Sequence, residues 1–201
     1  MMTDVIIIGG GAAGCFAAVW AARYGKSVIV FEKNEKLGRK LRITGKGRCN
    51  VTNNSSTDEH MKNIPVNPRF LYSSFSNFDA DSTMEFFEGV GVPLKTERGN
   101  RVFPVSDNAN DIADALAREM KNLGVQVVHS RVTKLITENG AVTGVRAGGQ
   151  EYPCSSVIIA CGGKSYPNTG STGDGYTLAE SVGHTVTELK PSLVPLISPD
   201  R

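Results

Sequence analysis

The sequence predicts an α/β fold with a parallel sheet and flanking helices, and the beginning of the chain carries the evidence. The apolar run Val5–Ile8 has the length and the β-branched content of a buried strand. A glycine-rich turn over residues 9–14 leads into an alanine-rich helical stretch over residues 12–24. A second apolar segment, residues 27–31, then ends in the acidic residue Glu32. Strand, tight turn, helix and strand in this order predict a dinucleotide-binding unit.

The glycine spacing gives this unit a specific chemistry. Gly9 allows the sharp turn, Gly11 lets a pyrophosphate approach the backbone, and Gly14 lets helix and strand pack closely. The free N–H groups of the helix N-terminus then face the phosphates. Glu32 suits a ribose 2′-hydroxyl and would repel a 2′-phosphate. We expect dinucleotide contacts from Gly9, Gly11, Ala13, Gly14, Glu32 and Lys33; an ordinary crossover without ligand is the alternative.

Composition limits the remaining function classes. The 201 residues suffice for one large domain or two small ones, and the net charge of +2 gives no case for nucleic-acid or membrane binding. The opening apolar run lacks the basic flank and cleavage site of a signal peptide. The four cysteines show neither CxxC nor zinc spacing, so we expect no metal site and a cytoplasmic protein.

A basic, glycine-rich segment follows the second strand. Residues 38–53 contain five basic residues and three glycines, and they show no hydrophobic period. A solvated basic loop is one interpretation. The composition favours another, because glycines let backbone N–H groups point into a shared concavity that suits an anion. Such a loop beside Glu32 could close over a long cofactor.

The middle of the chain predicts short helices, a hairpin and one amphipathic helix. Two short helices are expected over residues 68–76 and 80–89, the second capped by Asp79 or Asp81. An irregular hairpin is expected over residues 92–105. An amphipathic helix, capped by an asparagine at position 108 or 110, then ends at Gly124.

The last third predicts a strand, a meander and a return to the sheet. Residues 125–129 predict a strand, and residues 132–147 a hairpin around the Asn139-Gly140 turn. A buried strand is expected over residues 157–161, where the following glycines allow close backbone approach to a ligand. A Gly-Ser-Thr-Gly-Asp-Gly string then precedes a helix over residues 176–182.

These motifs together resemble a bacterial flavoprotein family. Gly38-Arg-Lys40 and Thr44-Gly-Lys-Gly-Arg-Cys-Asn50-x-Thr-Asn53, following the glycine turn, resemble the HI0933-like or BaiN-like proteins. That family includes aminoacetone oxidases and NAD(P)/FAD-dependent oxidoreductases. The resemblance implies a glutathione-reductase-type FAD-binding Rossmann-like domain, with a parallel sheet, helices and a three-stranded β-meander. The FAD contacts that it implies are Gly38, Arg39, Lys40, Thr44, Gly45, Gly47, Arg48, Cys49, Asn50, Val132, Ala160, Gly162, Gly173 and Asp174.

The resemblance also implies a domain plan. Residues 1–190 would form the N-terminal portion of the FAD-binding domain, and residues 191–201 would begin a linker into an inserted substrate domain that is absent. The domain would then be incomplete at its C-terminus. Its exposed sheet edge would favour self-association.

The implied function is that of an FAD-dependent oxidoreductase. It would act on NAD(P)H or on a small-molecule or amine substrate, with reoxidation by oxygen or another acceptor. No residue pair has the signature of a catalytic acid or base, so no catalytic residue is predicted. The alternatives are a truncated, non-catalytic dinucleotide-binding fragment, a fumarate reductase or succinate dehydrogenase-like flavoprotein, and an NAD site in a classical dehydrogenase.

Overall fold

The computed structural model describes residues 2–191. The strands are β1 (Thr3–Ile8), β2 (Val28–Phe31), β3 (Thr52–Asn53), β4 (Leu94–Glu97), β5 (Arg101–Pro104), β6 (Gln126–Val128), β7 (Val132–Glu138), β8 (Ala141–Ala147) and β9 (Gln150–Ile159). The helices are α1 (Ala12–Arg23), α2 (Thr57–Lys62), α3 (Tyr72–Asn77), α4 (Ala80–Gly89), α5 (Ala109–Asn122) and α6 (Asp174–Glu180). Short 3-10 helices span Leu41–Gly47, Pro68–Leu71 and Pro167–Thr169. The proposed linker after residue 191 lies outside the described residues.

Two sheets organise these elements. The larger has the order β6-β2-β1-β9-β8-β7, in which β6, β2, β1 and β9 run parallel and the remaining pairs run antiparallel. The smaller antiparallel sheet has the order β3-β5-β4. The predicted α/β class, with a parallel sheet and a three-stranded meander, is confirmed.

The two faces of β1 belong to two different cores. Ile7 packs with α1 and α5, whereas Ile6 and Ile8 face the meander and α6. This division follows from the alternation of side chains along a strand. All three isoleucines are nearly or fully buried, as expected for a central parallel strand.

One expectation about β9 is wrong. The sequence predicts a buried strand over residues 157–161, but Ile158 and Ile159 are 39% and 38% exposed. The third strand of the meander and the expected strand that returns to the sheet are one continuous strand, β9. The neighbouring strand β8 pairs only with the first part of β9, up to Pro153. Within residues 2–191, no strand pairs with the same edge of its second part. The apolar second part of β9 is therefore paired, within the described chain, on one edge only, with β1.

Helix capping resolves two open alternatives. The Asp79 carboxylate accepts a hydrogen bond from the Ser82 backbone N–H at 2.9 Å, so Asp79 caps α4. The Asn108 side chain accepts one from the Asn110 backbone N–H at 3.0 Å and caps α5.

The last helix begins at Asp174, two residues before the predicted start. In the part of the chain that the structure describes, no helix has both the length and the apolarity needed to cross a bilayer.

Candidate functional site

The three glycines of the β1–α1 turn meet different surroundings. A Cβ on Gly9 would lie 2.5 Å from the Ala160 carbonyl oxygen, and Gly9 has a φ of +108°. A Cβ on Gly14 would lie 1.8 Å from the Gly9 carbonyl oxygen. A Cβ on Gly11 would meet no atom of the protein within 4 Å. Two glycines are therefore required by packing within the protein, whereas the third faces open space.

The N-terminus of α1 is available to an anion. Gly11 precedes the helix, no side chain caps it, and the first turn carries no acidic residue. The first N–H groups of a helix have no intrahelical acceptor, and they lie at the positive end of its dipole. This end of α1 can therefore bind a phosphate group.

Glu32 lies at the end of β2, directly across from the turn, and is 7% exposed. Its Oε2 accepts a hydrogen bond from the Gly10 N–H at 2.8 Å. Its Oε1 accepts from the backbone N–H and the side-chain Nδ2 of Asn34, at 2.8 and 2.7 Å. A carboxylate offers about four acceptor positions. One therefore remains for a hydroxyl donor, while the bond from Gly10 holds the turn against the end of β2 and the two bonds from Asn34 fix the carboxylate in place.

These elements border a cavity of about 620 Å³. Its wall brings together many of the sequence-predicted residues: Gly9, Gly11, Ala13, Glu32, Lys33, Arg39, Lys40, Thr44, Val132, Ala160, Gly162 and Asp174. Other lining residues were not predicted individually as contacts, although Gly170, Ser171 and Gly175 belong to the Gly-Ser-Thr-Gly-Asp-Gly string: Asn34, Leu41, Ser130, Arg131, Cys161, Thr169, Gly170, Ser171, Gly175 and Tyr176. Most of these flank predicted positions, so proximity in sequence was the available signal.

The other predicted site residues lie away from the cavity wall. Gly14 is under the turn, and the N–H of Gly38 donates to the Gly10 carbonyl at 2.8 Å. Gly173 precedes α6 with a φ of +86° and packs against the Lys164 side chain. The remainder form the end of the basic segment: Gly45, Gly47, Arg48, Cys49 and Asn50.

The basic segment is bound to the protein rather than solvated. Arg42 donates to Asn110 Oδ1 at 2.7 Å and pairs with Asp114 Oδ1 at 2.6 Å, both on α5. Lys40 Nζ donates to the Ser165 carbonyl at 2.7 Å, across the cavity from its own loop. The segment therefore forms one wall of the cavity and contacts the wall that follows β9.

A charged cluster joins three segments at the cavity. Asp174 accepts from Lys33 Nζ at 2.9 Å, from Arg131 Nη2 at 2.8 Å and from Thr172 Oγ1 at 2.9 Å. Burial raises the pKa of the Asp174 carboxyl, but the hydrogen bonds from Lys33 and Thr172 and the charge of Lys33 outweigh this, so its pKa lies below the ordinary value. The cluster fixes the start of α6 beside the end of β2 and the start of β7.

No activated nucleophile is found among the lining residues of the described chain. Cys161 lies on the wall, and its burial, reinforced by the negative charge of Asp174, raises its pKa to about 11. Its thiol is therefore protonated at neutral pH and a weak nucleophile. Residues 2–191 contain no group of three or more His, Cys, Asp or Glu side chains placed to hold a metal ion. The arrangement can bind an anionic dinucleotide and leaves the chemistry to the ligand.

Comparison with known proteins places these features in context. The family described as "HI0933-like protein Rossmann domain" matches residues 3–191. The 3-dehydro-bile acid delta(4,6)-reductase of Clostridium scindens is 38% identical over 199 residues, which cover 97% of this chain and 47% of that protein. A ribosomal RNA dihydrouridine synthase of Haemophilus influenzae is 31% identical over 197 residues, which cover 96% of this chain and 48% of that protein. The chain thus spans about half the length of these relatives.

Solved structures share the fold at low identity. The 3-ketosteroid-delta4-(5alpha)-dehydrogenase of Rhodococcus jostii RHA1 superposes with a TM-score of 0.67 at 18% identity, covering 90% of this chain and 54% of that one. A flavocytochrome c3 fumarate reductase gives a TM-score of 0.63 at 22% identity, and the match covers 92% of this chain and 41% of that one. At such identities the likeness concerns the fold alone.

Proposed function

Because the chain belongs to the HI0933-like family, we propose that it forms the FAD-binding part of a flavin-dependent oxidoreductase. The resemblance predicted from its motifs is confirmed over nearly the whole described chain. The domain is of the FAD-binding Rossmann type. The activity of the whole protein is part of the proposal, since the chain corresponds to about half of its relatives.

The observation that carries the proposal is the pairing of Gly11 with Glu32 on one cavity wall. Gly11 is the turn glycine with open space where its Cβ would be, and the Glu32 carboxylate retains one acceptor position. A dinucleotide needs a close backbone approach for its pyrophosphate and an acceptor for its ribose. The cavity of about 620 Å³ is within the range of cofactor sites. The residues present therefore fit FAD.

We assign roles along the cavity accordingly. The N-terminus of α1, with Gly11 and Ala13, would bind the phosphates, and Glu32 would accept from a ribose hydroxyl. The Val132 backbone would contact the adenine. Other lining residues would contact the flavin: Arg39, Lys40, Thr44, Ala160, Gly162 and Asp174. When bound, FAD supplies hydride-transfer chemistry, while the protein provides orientation and electrostatics.

The two named relatives favour reduction as the direction of the reaction. One is named a reductase and the other a dihydrouridine synthase, and both names describe the addition of hydrogen to an unsaturated ring. We propose that the whole protein transfers a hydride from NAD(P)H to a carbon–carbon double bond in a cyclic substrate. Oxidation of a small amine, with oxygen as the acceptor, is the second candidate.

Flavin retention tests the proposal. The purified 201-residue chain is mixed with FAD, freed of excess cofactor, and its visible spectrum recorded. We expect retained oxidised-flavin absorbance that bleaches on anaerobic addition of NAD(P)H. A chain that stays colourless would contradict the assignment of the cavity to FAD.

Reoxidation then separates the candidate substrates. The whole protein, reduced under anaerobic conditions, is offered a 3-oxo-Δ4 steroid, a uridine-containing rRNA fragment, or oxygen alone, and the oxidised protein is separately offered a small amine. Recovery of flavin absorbance with either ring substrate, at a rate above that with oxygen, supports the reductase. Recovery with oxygen alone, together with bleaching by an amine, supports the oxidase. The RNA experiment also tests the prediction from net charge that no nucleic acid binds.

A further inference from the structure

Arg48 is a basic residue of the glycine-rich segment, and its contacts lie away from the cavity, on the β4–β5 hairpin and the turn that follows it. Its Nη2 pairs with Glu97 Oε1 and Asp107 Oδ1, both at 2.5 Å, and its Nη1 donates to Glu97 Oε2 at 3.2 Å. Its guanidinium carbon lies 4.1 Å from the centre of the Phe103 ring. Planar pairing and stacking together are typical of a fixed arginine. Arg48 therefore binds the loop to the β4–β5 hairpin.

The backbone on which Arg48 sits has an unfavourable conformation. The 3-10 helix Leu41–Gly47 is broken by residues in the left-handed region, including Lys46 at a φ of +58°. Cys49, directly after Arg48, has a φ of +60°. Such values at residues other than glycine persist only where the surroundings enforce them. The loop therefore depends on contacts with elements outside itself.

Those contacts come from the same hairpin. A Cβ on Gly45 would lie 3.2 Å from the Phe103 ring, so the loop backbone packs directly on the ring that Arg48 stacks on. Lys95 Nζ pairs with Asp107 Oδ2 at 2.8 Å and lies 3.6 Å from Glu97 Oε1. Two cations thus balance two carboxylates around the loop. The hydrogen bonds from Lys95 and Arg48 hold the pKa of the Asp107 carboxyl below its usual range.

The residues held by this arrangement line the cavity. Lys40, Leu41 and Thr44 precede the kink and form part of the wall. Arg42 fixes the beginning of the loop to α5, and Arg48 fixes its end to the hairpin. We propose that Arg48 is a positioning residue, which holds the kinked loop on the β4–β5 hairpin and so presents Lys40 and Thr44 to the cofactor.

The first test needs no cofactor. Trypsin cleaves after Arg39, Lys40, Arg42 and Lys46, so the loop reports its own opening. We expect these cuts to be about tenfold faster in Arg48→Gln than in the wild-type chain. Arg146→Gln is the matched control, because Arg146 pairs with Glu151 at 2.5 Å on the meander, away from the loop. Loop cleavage equal in all three proteins would overturn the proposal.

The second test rests on the proposed function. In Arg48→Gln the Kd for FAD should rise about tenfold, and the visible circular dichroism of bound flavin should change, with Arg146→Gln unchanged. Unaltered affinity and dichroism would contradict the role toward the cofactor. If the wild-type chain retains no FAD, the proposed function fails, but the protease result still decides the role of Arg48.

A second variant tests the proposal if Arg48→Gln does not fold. If Arg48→Gln lacks the far-ultraviolet dichroism of the wild type, Glu97→Gln replaces it, because this change removes the negative charge and one of the two oxygens that accept from Arg48, and it keeps the arginine. Faster loop cleavage at unchanged urea stability supports positioning. Wild-type cleavage in Glu97→Gln would overturn it.

Discussion

At the scale of single residues, different glycines of the β1–α1 turn serve packing and ligand binding. Gly14 has no room for a methyl group because the Gly9 carbonyl would lie 1.8 Å away, whereas Gly11 has free space and an ordinary φ of −79°. The same residue type therefore has two different functions three positions apart. Substitution by alanine distinguishes them.

We expect Gly11→Ala to keep the stability of the fold and to lose cofactor. Its methyl group would occupy the space of the pyrophosphate, and overpacking of about 1–3 kcal/mol corresponds to a Kd for FAD raised roughly tenfold to a hundredfold. Gly14→Ala should instead lower the free energy of unfolding by about 3 kcal/mol. Urea unfolding and FAD titration of both variants measure this. A Gly11→Ala protein with wild-type affinity would contradict the assigned phosphate position.

Glu32 is expected to combine both roles. Glu32→Gln replaces an acceptor oxygen by an amide donor, which leaves a donor at the turn without its partner. We expect a loss of about 1–3 kcal/mol in the free energy of unfolding and a roughly tenfold weaker binding of FAD. Glu35→Gln is the control, since Glu35 is exposed and three residues away. Equal behaviour of the two variants would show that the Glu32 carboxylate is dispensable.

At the scale of elements, sequence pattern predicted what depends on local chemistry. The apolar run of β1, the amphipathic pattern of α5 and the Asn139-Gly140 turn all lie where expected. The half-exposed end of β9 could not be predicted, because Ile158 and Ile159 read as a buried strand whether or not a neighbouring strand covers them. Likewise, the sequence of the basic segment gives no sign that Arg48 pairs with Glu97 on the hairpin and with Asp107 after it.

The Asp174 cluster predicts a pH dependence for the junction of β2, β7 and α6. A carboxyl whose pKa is lower in the folded than in the unfolded state stabilises the fold above its unfolded value, about 3.9, and loses this contribution as the pH falls through the folded value. Asp174→Asn should therefore be less stable than the wild type by about 1 kcal/mol at pH 7. The difference should shrink below pH 4.

Urea unfolding of both proteins at neutral and acidic pH measures this difference. Asp81→Asn is the control, because Asp81 is also an acid in the first turn of a helix, α4, but is exposed. A gap between wild type and Asp174→Asn that stays constant down to acidic pH would show that the ion pairs of Asp174 do not stabilise the fold.

At the scale of the whole molecule, the main sheet is unevenly protected. Its outer strand β7 carries charged residues such as Lys134 and Glu138, which discourage pairing with another chain. The second part of β9 carries apolar residues instead, and no strand among residues 2–191 covers its edge. An apolar edge with unpaired N–H and C=O groups is a template for another strand. This difference predicts where copies of the chain meet.

We expect the 201-residue chain to self-associate through β9. Sedimentation velocity should show a weight-average sedimentation coefficient that rises with protein concentration. Ile158→Lys should remove most of this rise, because a lysine on an apolar edge opposes pairing. Thr133→Lys, on the exposed part of β7, adds the same charge to the same sheet and should leave the association unchanged. A wild-type chain that stays monomeric at all concentrations would mean that the edge of β9 is protected by other means. An equal effect of both lysines would assign the association to net charge rather than to β9.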